Sequence, residues 1–332
     1  MSHLRYSIKR LLQAIPVLLG ITSITFFLIN AMPGSPVEVM LGPTATEEMI
    51  EEASARYGFD QPLHVRYVKY ILAAMGGDLG QSIHYGVPVT EKILERLPVT
   101  LLLLASSFAF AITVAIPLGI VSARRRKQPV DHVSRVVSLV GVSTPNFWIG
   151  LVLIIVFGYH LEVLPSNGLV MPFTPVSEIE GATSRLDVLV QTVRSLVMPT
   201  IALGTLQMAA ISRIERSSML EVLGRDYIDL ARAFGVKESV ITRKHAFQNA
   251  QLPVVTIIGL QLTSALGGAV LTETVFNING MGRLIIQAVR TQDYALIMGT
   301  TLFFGFMFVI GTLLTDLCYA YLDPRVTYEG EE

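Results

Sequence analysis

Charged residues are scarce in this sequence. They make up 15% of its 332 residues, whereas 52% are apolar, and an ordinary soluble domain contains roughly 25% charged residues. A soluble fold so poor in charge could not cover its own surface, and a disordered chain needs the opposite composition. The net charge of -1 creates no field that would attract nucleic acid, so no nucleic-acid partner is expected. The composition predicts a protein whose solvent is the lipid bilayer.

Signatures of catalysis are also missing. The single cysteine, Cys318, excludes an intramolecular disulfide framework. The sequence contains no Gly-x-Ser-x-Gly nucleophile motif and no Gly-x-x-x-x-Gly-Lys-Ser/Thr phosphate loop. We therefore expect no catalytic residue and no cofactor bound by this chain. The histidines are scattered without an i,i+4 pair, which predicts no metal site: His3, His64, His84, His132, His160 and His245.

Long apolar segments are present instead. Six windows contain no Lys or Arg and are long enough to cross a bilayer as helices, which takes about 20 apolar residues. Their continuous apolar runs lack the period-two alternation of barrel strands. The first window lacks a good cleavage site, so an uncleaved anchor is favoured over a signal peptide. The sequence thus predicts an all-α polytopic membrane protein with six transmembrane helices: 11–31, 99–122, 136–159, 196–212, 254–276 and 295–319.

Prolines interrupt several of these windows. Prolines in transmembrane helices are tolerated where neighbouring helices satisfy the freed backbone groups. We therefore expect kinks, not helix ends, at these positions: Pro16, Pro117, Pro145 and Pro199.

The positions of Lys and Arg predict the orientation of the spans. With residue 1 inside, the inner segments carry basic residues at more than twice the density of the outer ones, and 124–127 is the strongest single anchor. Both termini are therefore predicted to be cytosolic. The predicted domains are an N-terminal segment with the first span, an outer helical loop, a core with five spans and a cytosolic tail: 1–31, 32–98, 99–319 and 320–332.

The outer loop is predicted to be helical in part. Thr44-Ala-Thr-Glu47 is typical of a capping box that opens a helix, and this helix is expected to run to about Tyr57. A second helix is predicted over 63–75. A third, short helix over 89–97 is expected to lie on the membrane before Pro98 and the second span.

The inner segment 213–253 is longer than a simple connector, and loops of more than about 12–15 residues are commonly functional. Its pattern predicts a helix over 226–234 and an elbow at Gly235, where glycine accepts a positive φ. A second helix is predicted over 237–250, closed by Pro253. The result is a protruding L-shaped element with small residues at its tip. Such a tip allows close approach of another protein, but packing on its own bundle explains the shape equally well.

Two stretches of this loop carry a family resemblance. Asp229-Leu-Ala-Arg-Ala-Phe-Gly235, followed by Arg243-Lys-His-Ala-Phe-Gln-Asn-Ala-Gln-Leu-Pro253, resembles the cytoplasmic loop of binding-protein-dependent ABC importer permeases. More narrowly, it resembles the first permease subunit of the dipeptide/oligopeptide/nickel family. Asp229 stands where the general motif has glutamate, so a carboxylate is kept. The resemblance implies an ATPase-coupling loop formed by Asp229, Ala231, Arg232, Ala233, Gly235, His245, Asn249, Ala250 and Pro253.

The resemblance covers nearly the whole chain. Gly77-Asp-Leu-Gly-Gln-Ser82 resembles the outer loop of the family, Thr144-Pro-Asn-Phe-Trp148 its third span, and Asp323-Pro-Arg325 its C-terminal part. Asn277-Ile-Asn279 departs from the pattern, because the family often has proline there. Each motif is weak alone, but their order and spacing together are specific.

The resemblance implies a complete transport machine. It predicts the type I ABC importer permease fold and a heterodimer with a second homologous permease in the plasma (inner) membrane of a prokaryote. Two ABC ATPase subunits would hold ATP and Mg, and an extracytoplasmic solute-binding protein would deliver the cargo. Di- and oligopeptides are the expected cargo, although nickel and oligosaccharide importers share this permease type.

Polar groups inside the windows are candidates for the translocation path. An intramembrane ionisable residue is a functional hypothesis by default, whereas interhelical hydrogen bonds explain the neutral ones equally well. The fifth span also carries several small residues, which favour close contact either with a partner permease or within the subunit. The predicted path residues are Thr144, Asn146, Gln261, Ser264 and Glu273.

Two other functional classes stay open on the sequence. A self-contained secondary transporter or channel would be expected to have charged mid-span residues and inverted repeats, and neither is evident here. A membrane-bound assembly subunit without a substrate path is the other alternative.

Overall fold

The computed structural model describes residues 3–31, 36–42 and 45–322. The predicted tail beyond residue 322 lies outside the described residues. The regular structure of the described chain is helical, with one isolated antiparallel bridge between Gln81 and Pro88. The prediction of a mostly helical protein is confirmed.

Long apolar helices account for the predicted spans. Within the described ranges, four helices are long and apolar enough to cross a membrane, and two further helix pairs qualify if each bent pair is counted as one span. The four single helices are α1 (His3–Ala31), α5 (Val89–Arg124), α8 (Arg185–Leu223) and α13 (Tyr294–Leu322).

The predicted third span is two helices with a sharp bend between them. Helix α6 (Pro129–Ser143) ends at Thr144, and α7 (Asn146–Leu153) continues into a π-helix over Ile154–His160. The bend between the two parts is 105°. Thr144 is extended (φ -96°, ψ 126°), because the ring of the following proline disfavours helical backbone at the preceding residue. The expectation of a simple kink at Pro145 is therefore wrong.

Other prolines are absorbed by their helices. Pro16 and Pro199 lie inside α1 and α8, so neither ends its helix. Helix α5 runs without a break through Pro98 and Pro117. The predicted separate helix over 89–97 is therefore wrong, because it is the first part of α5.

The described chain forms two compact units. The flanking unit comprises residues up to 100 together with 279–310, and the central unit comprises 101–278 with the chain from 311 onward. The flanking unit contains α1, α2 (Pro36–Leu41), α3 (Glu47–Tyr57), α4 (Leu63–Met75), the start of α5, α12 (Met281–Arg290) and most of α13.

Local signals set the helices of the outer loop. Thr46 caps α3 by accepting a hydrogen bond from Met49 N, and Gly58 ends this helix in the left-handed region (φ 73°). The predicted end at Tyr57 is confirmed. The cap of this helix is Thr46, and the predicted cap Thr44 lies outside the described residues. The predicted helix over 63–75 is confirmed as α4.

A buried carboxylate fixes the turn that follows α4. Asp293, at the start of α13, accepts hydrogen bonds from Ser82 Oγ (2.5 Å) and His84 N (3.0 Å). It also caps α13 through Leu296 N at 3.1 Å. Because the carboxylate is buried and satisfied by three donors, it holds the segment around residue 82 against the start of α13.

The central unit is organised around α8. This helix packs against α6, α7 and α11 (Phe247–Val275). Glycine permits a close approach between α5 and α8, where a Cβ on Gly204 would lie 2.8 Å from Ser107 O and 2.7 Å from Phe110 Cδ1. Small residues of this kind let membrane helices pack backbone to backbone.

Gly204→Ala should therefore destabilise the chain. Because the added methyl group would meet a backbone carbonyl that cannot move alone, we expect a loss of about 1–3 kcal/mol in unfolding free energy. The measurement is unfolding of the purified chain by increasing SDS in mild-detergent micelles. Gly20→Ala is the control, since a Cβ at Gly20 in α1 meets nothing within 4 Å. Equal stability of the two variants would contradict the close α5–α8 contact.

Candidate functional site

The 213–253 loop has a helix–elbow–helix geometry. Helix α9 (Asp226–Ala233) is followed by Gly235, whose φ of 73° lies in the left-handed region. The chain then forms α10 (Glu238–Val240) and a π-helix (Ile241–Ala246). The predicted first helix and glycine elbow are confirmed.

Pro253 does not close the second helix of the loop. The π-helix leads directly into α11, and Pro253 lies inside that helix. Since proline removes only one backbone donor, a packed bundle tolerates it within a helix. The loop is therefore continuous with the fifth span instead of being hinged at its mouth.

A buried apolar cluster packs the loop against the ends of α8 and α11. Ile228 of α9 is fully buried with Ile241 and Ala246 of the π-helix and with Ala250 of α11. These side chains cluster with Met219 of α8. Ala250 is therefore a packing residue, and the loop is fixed to the ends of the helices that flank it.

Arg232 connects the two arms of the elbow. Its guanidinium donates to Asp229 Oδ1 at 2.9 Å and to Glu238 Oε1 at 3.2 Å. The hydrogen bond to Glu238, followed by that to Asp229, raises the pKa of Arg232. All three side chains are exposed, so each pair contributes little to stability alone, but together they hold the side chains around Gly235 in one arrangement.

The outer face of the loop is apolar and exposed. Tyr227, Leu230 and Phe234 are 44%, 58% and 79% exposed and recur at the three- and four-residue spacing of one helix face. Sequence reading missed these residues, although their spacing in 226–234 was a usable signal. The predicted residues are distributed around this face: Asp229, Arg232, Ala233, Gly235, Asn249 and Pro253 are exposed, whereas Ala231 and His245 are half-buried.

A buried carboxylate lies where the loop joins the spans. Glu215 of α8 is fully buried and accepts hydrogen bonds from Gln251 Nε2 of α11 at 3.1 and 3.4 Å. Gly119 of α5 makes room for it, because a Cβ there would lie 2.6 Å from Glu215 Cγ. This contact joins the helix that enters the loop to the helix that leaves it.

A second polar contact joins the same end of α8 to the start of α6. Arg216 donates to both carboxylate oxygens of Asp131, at 2.7 and 3.0 Å. Ser122 Oγ (2.7 Å) and Lys127 N (2.9 Å) complete the donors to this carboxylate, which is 1% exposed. Sequence reading missed both contacts, since nothing in a single sequence pairs residues so far apart.

The predicted path residues lie around the start of α7 and along α11. Asn146 of α7 lies against α11, where a Cβ on Gly268 would be 3.2 Å from Asn146 Nδ2, and its buried Oδ1 accepts no hydrogen bond within the described chain. Thr144 Oγ1 donates to Val140 O at 2.7 Å, so its hydroxyl is hydrogen-bonded to the backbone of α6. Gln261 and Ser264 are one turn apart on α11 and Glu273 is fully buried further along it.

Some small residues of the fifth span pack against other helices, and others are exposed at the surface. A Cβ on Gly259 would collide with Thr315 of α13, and one on Gly268 would press on Leu203 of α8. Ser264 and Gly267 are instead exposed, and a Cβ on Gly267 meets nothing within 4 Å. Packing within the subunit therefore accounts for one face of this helix only.

Glu215→Ala should uncouple the loop from the spans and lower stability. The change removes the acceptor of the Gln251 amide and leaves a buried space, so we expect a loss of about 1–3 kcal/mol in unfolding free energy. SDS unfolding of the purified chain measures it. Glu221→Ala is the matched control on the same helix, because Glu221 is exposed and its ion pair within the described part of the chain is with the exposed Arg225. A loss of equal size in both variants would show that the buried contact is unimportant.

Two family models match this chain. Residues 115–328 match the binding-protein-dependent transport system inner membrane component, and residues 3–104 match the N-terminal part of the corresponding membrane component. Together they cover nearly the whole sequence. The chain belongs to this family of transport-system inner membrane components. It is therefore a multi-pass transport protein of the inner membrane.

Relatives of this inner membrane component are known along its full length. It is 40% identical over 332 residues to the dipeptide transport system permease protein DppB of Alkalihalophilus pseudofirmus, covering 98% of this chain and 100% of the relative. It is 38% identical over 324 residues to the oligopeptide transport system permease protein AppB of Bacillus subtilis, covering 97% and 99%. It is 38% identical over 337 residues to DppB of Escherichia coli strain K12, covering 98% and 99%.

A solved structure shares the fold. A chain of the MetNI methionine ABC transporter in an inward-facing conformation superposes with a TM-score of 0.54 and 17% identity, covering 70% of this inner membrane component and 97% of that chain. The likeness places the helical arrangement of this protein among ABC transporter folds.

Proposed function

We propose that this chain is one of two homologous permease subunits of an ATP-driven ABC importer of di- and oligopeptides. The observation that carries the proposal is the full-length similarity, at 38–40% identity, to permeases named for dipeptide and oligopeptide transport. In this proposal the chain has the type I importer fold, binds no nucleotide itself and catalyses no reaction. ATP and Mg belong to two partner ATPases, and a solute-binding protein delivers the peptide.

The 213–253 loop is the proposed contact with an ATPase. Its exposed stripe of Tyr227, Leu230 and Phe234 suits insertion into an apolar groove of a partner, as an amphipathic helix docks in a groove. The charged residues Asp229 and Arg232 flank this stripe. His245 and Asn249 lie further along the loop, where Asn249 Nδ2 donates to His245 O at 2.7 Å.

The loop is built to transmit movement. Its internal core fixes α9 to the end of α8, and the Glu215–Gln251 hydrogen bonds join α8 to α11. When the two ATPases close on ATP, a displacement of the loop would therefore move both helices together. Because the helix is continuous through Pro253, a displacement of the loop would also be transmitted directly to the fifth span.

Contacts within the central unit support spans that alternate in direction. The Asp131–Arg216 pair holds the predicted inner segments 123–135 and 213–253 at one end of the central unit. At the other end of α8 and α11, Val170 N donates to Ser195 Oγ and Gly168 N to Phe276 O, which joins segments predicted to be outside. With the distribution of Lys and Arg, this arrangement supports cytosolic termini.

Amide groups on α7 and α8 are the proposed peptide contacts. Asn146 Oδ1 and Gln207 Oε1 are buried without a hydrogen-bond partner among the described residues, and a peptide backbone supplies N–H donors. Gln207 is an addition to the predicted set of Thr144, Asn146, Gln261, Ser264 and Glu273. The exposed face of α11 at Ser264 and Gly267 is the proposed contact with the second permease.

Purification followed by reconstitution tests the proposal. The tagged chain is isolated from its native membrane in mild detergent, the accompanying polypeptides are identified, and the assembly is placed in liposomes with the solute-binding protein. Uptake of a labelled dipeptide is compared with uptake of Ni²⁺ and of an oligosaccharide, with and without ATP.

The outcomes separate the functional classes. ATP-dependent peptide uptake, with a second permease and two ATPases present, supports the proposal. Uptake by this chain alone, driven by an ion gradient, would establish a secondary transporter. Preference for Ni²⁺ or the oligosaccharide would keep the ABC class and overturn the peptide assignment.

A further inference from the structure

A cavity of about 410 Å³ lies within the flanking unit. Its walls come from the C-terminal end of α1, from α3 and α4, and from the start of α13. Its volume falls within the range of roughly 300–1,000 Å³ found for small-molecule sites. The lining residues are Phe26, Ile29, Asn30, Ala55, Gly58, Phe59, Gln61, Arg66, Lys69, Tyr70, Leu79, Gly80, Tyr294, Ala295 and Met298.

Aromatic side chains form much of the wall. Phe59 and Tyr294 pack edge to face with centroids 5.9 Å apart, and Phe26 contributes from α1. Tyr70 Oη is buried and has no hydrogen-bond partner within the described residues. A buried hydroxyl without a partner is costly, and the Tyr70 side chain that carries it lines the cavity.

Two cations stand beside this apolar wall. Arg66 lies over the ring of Phe59, 4.7 Å from its centroid, and Lys69 donates to Gln61 Oε1 at 2.8 Å. Across the described ranges, neither cation forms an ion pair with a carboxylate. Burial lowers the pKa of Arg66, with an opposing contribution from Tyr294. The cavity therefore combines uncompensated positive charge with an apolar interior.

The cavity lies at the end of a candidate membrane span. Helix α1 ends at Ala31, and the apolar stretch of α13 begins at Tyr294. Tyr67 of α4 fixes the outer loop to α1 through a 2.7 Å hydrogen bond with Ser23 Oγ. Phe27 and Leu28 of α1, next in sequence to the cavity residues Phe26 and Ile29, are 58% and 64% exposed. Aromatic residues at the end of a span mark the level of the lipid head groups.

We propose that this cavity binds an anionic phospholipid. The phosphate would accept hydrogen bonds from Arg66 and Lys69, and an acyl chain would follow the aromatic wall and the exposed face of α1. A peptide carboxylate also carries negative charge. The cavity favours a lipid because it is apolar inside and adjoins the exposed apolar surface of a span.

Native mass spectrometry tests this assignment on the full chain, purified in mild detergent with the subunits that accompany it. Phosphatidylglycerol and phosphatidylcholine are added in series, and the retained lipid is counted. We expect phosphatidylglycerol to bind preferentially and its apparent affinity to fall roughly tenfold or more in the double variant Arg66→Gln/Lys69→Gln, because each cation contributes to anionic-lipid binding. Arg290→Gln is the charge-matched control, since Arg290 is exposed on α12.

A further variant and two competition measurements distinguish a lipid from other anionic ligands. Ala55→Trp places a large side chain at an exposed position of the wall, so it should also reduce lipid binding without disturbing a packed core. Unchanged binding in both cavity variants, or an equal loss in Arg290→Gln, overturns the proposal. Displacement of the lipid by excess inorganic phosphate or by a free dipeptide would overturn it as well, since neither fills the apolar wall. Lipid binding is measured without transport, so its failure is distinct from failure of the proposed import function.

Discussion

Gly235→Val should abolish ATP-dependent uptake while the chain is still inserted and paired with its partners. Gly235 adopts a φ of 73°, and a β-branched residue in the left-handed region costs roughly 1–2 kcal/mol. A Cβ at this position meets nothing within 4 Å, so the effect is strain in the backbone and not a steric clash. The strain is relieved only if the elbow opens, and an open elbow changes the angle between α9 and α10.

Uptake of labelled peptide into proteoliposomes measures this loss, and copurification of the partner subunits checks assembly. Gly235→Asn is the first control, because asparagine tolerates the left-handed region and should keep most of the activity. Gly224→Ala is the second, since Gly224 precedes the same helix with a φ of -92°. Normal uptake by Gly235→Val would show that the elbow angle is unimportant for coupling.

Arg216→Met should strongly destabilise the central unit. The change leaves the Asp131 carboxylate buried with a hydroxyl and a backbone N–H as its main donors. Breaking a buried pair by removing one partner costs about 3–5 kcal/mol. We expect the lower end of this range, because Arg135 Nε is 3.7 Å from the same carboxylate and retains some of the compensation.

Loss of folded chain during heating in mild detergent measures this destabilisation. Arg213→Met is the matched control, since Arg213 lies on the same helix and is exposed. Adding Asp131→Asn to Arg216→Met should recover part of the loss, because the uncompensated charge is then gone. If the double variant is less stable than Arg216→Met, charge burial is not the cause of the effect.

Local sequence signals were sufficient to predict those elements whose bounds depend on neighbouring residues. Helix α4 has its predicted bounds, and α9 with the elbow at Gly235 was predicted from a polar start and a glycine stop. The apolar windows could also be predicted from the sequence, because a helix that crosses lipid requires about 20 consecutive residues with few charges. The family resemblance rested on the same local motifs in the 213–253 loop.

Prolines show where local chemistry was insufficient. Pro145 breaks its span with a 105° bend, whereas Pro98, Pro117 and Pro253 lie inside continuous helices. Each removes one backbone donor and crowds the preceding turn. Whether the helix continues depends on the helices packed around it, and that information is absent from the local sequence.

By itself the sequence determined the membrane class, the apolar segments and the shape of the exposed loop, because hydropathy, capping and glycine backbone freedom act over a few neighbouring residues. Only the tertiary structure decided that Glu215 pairs with Gln251 and that Arg216 donates to Asp131, 85 positions earlier in the sequence. The same is true of the aromatic cavity that Arg66 and Lys69 line. A charged residue carries no local mark of its partner. Burial and pairing arise only when distant helices pack together.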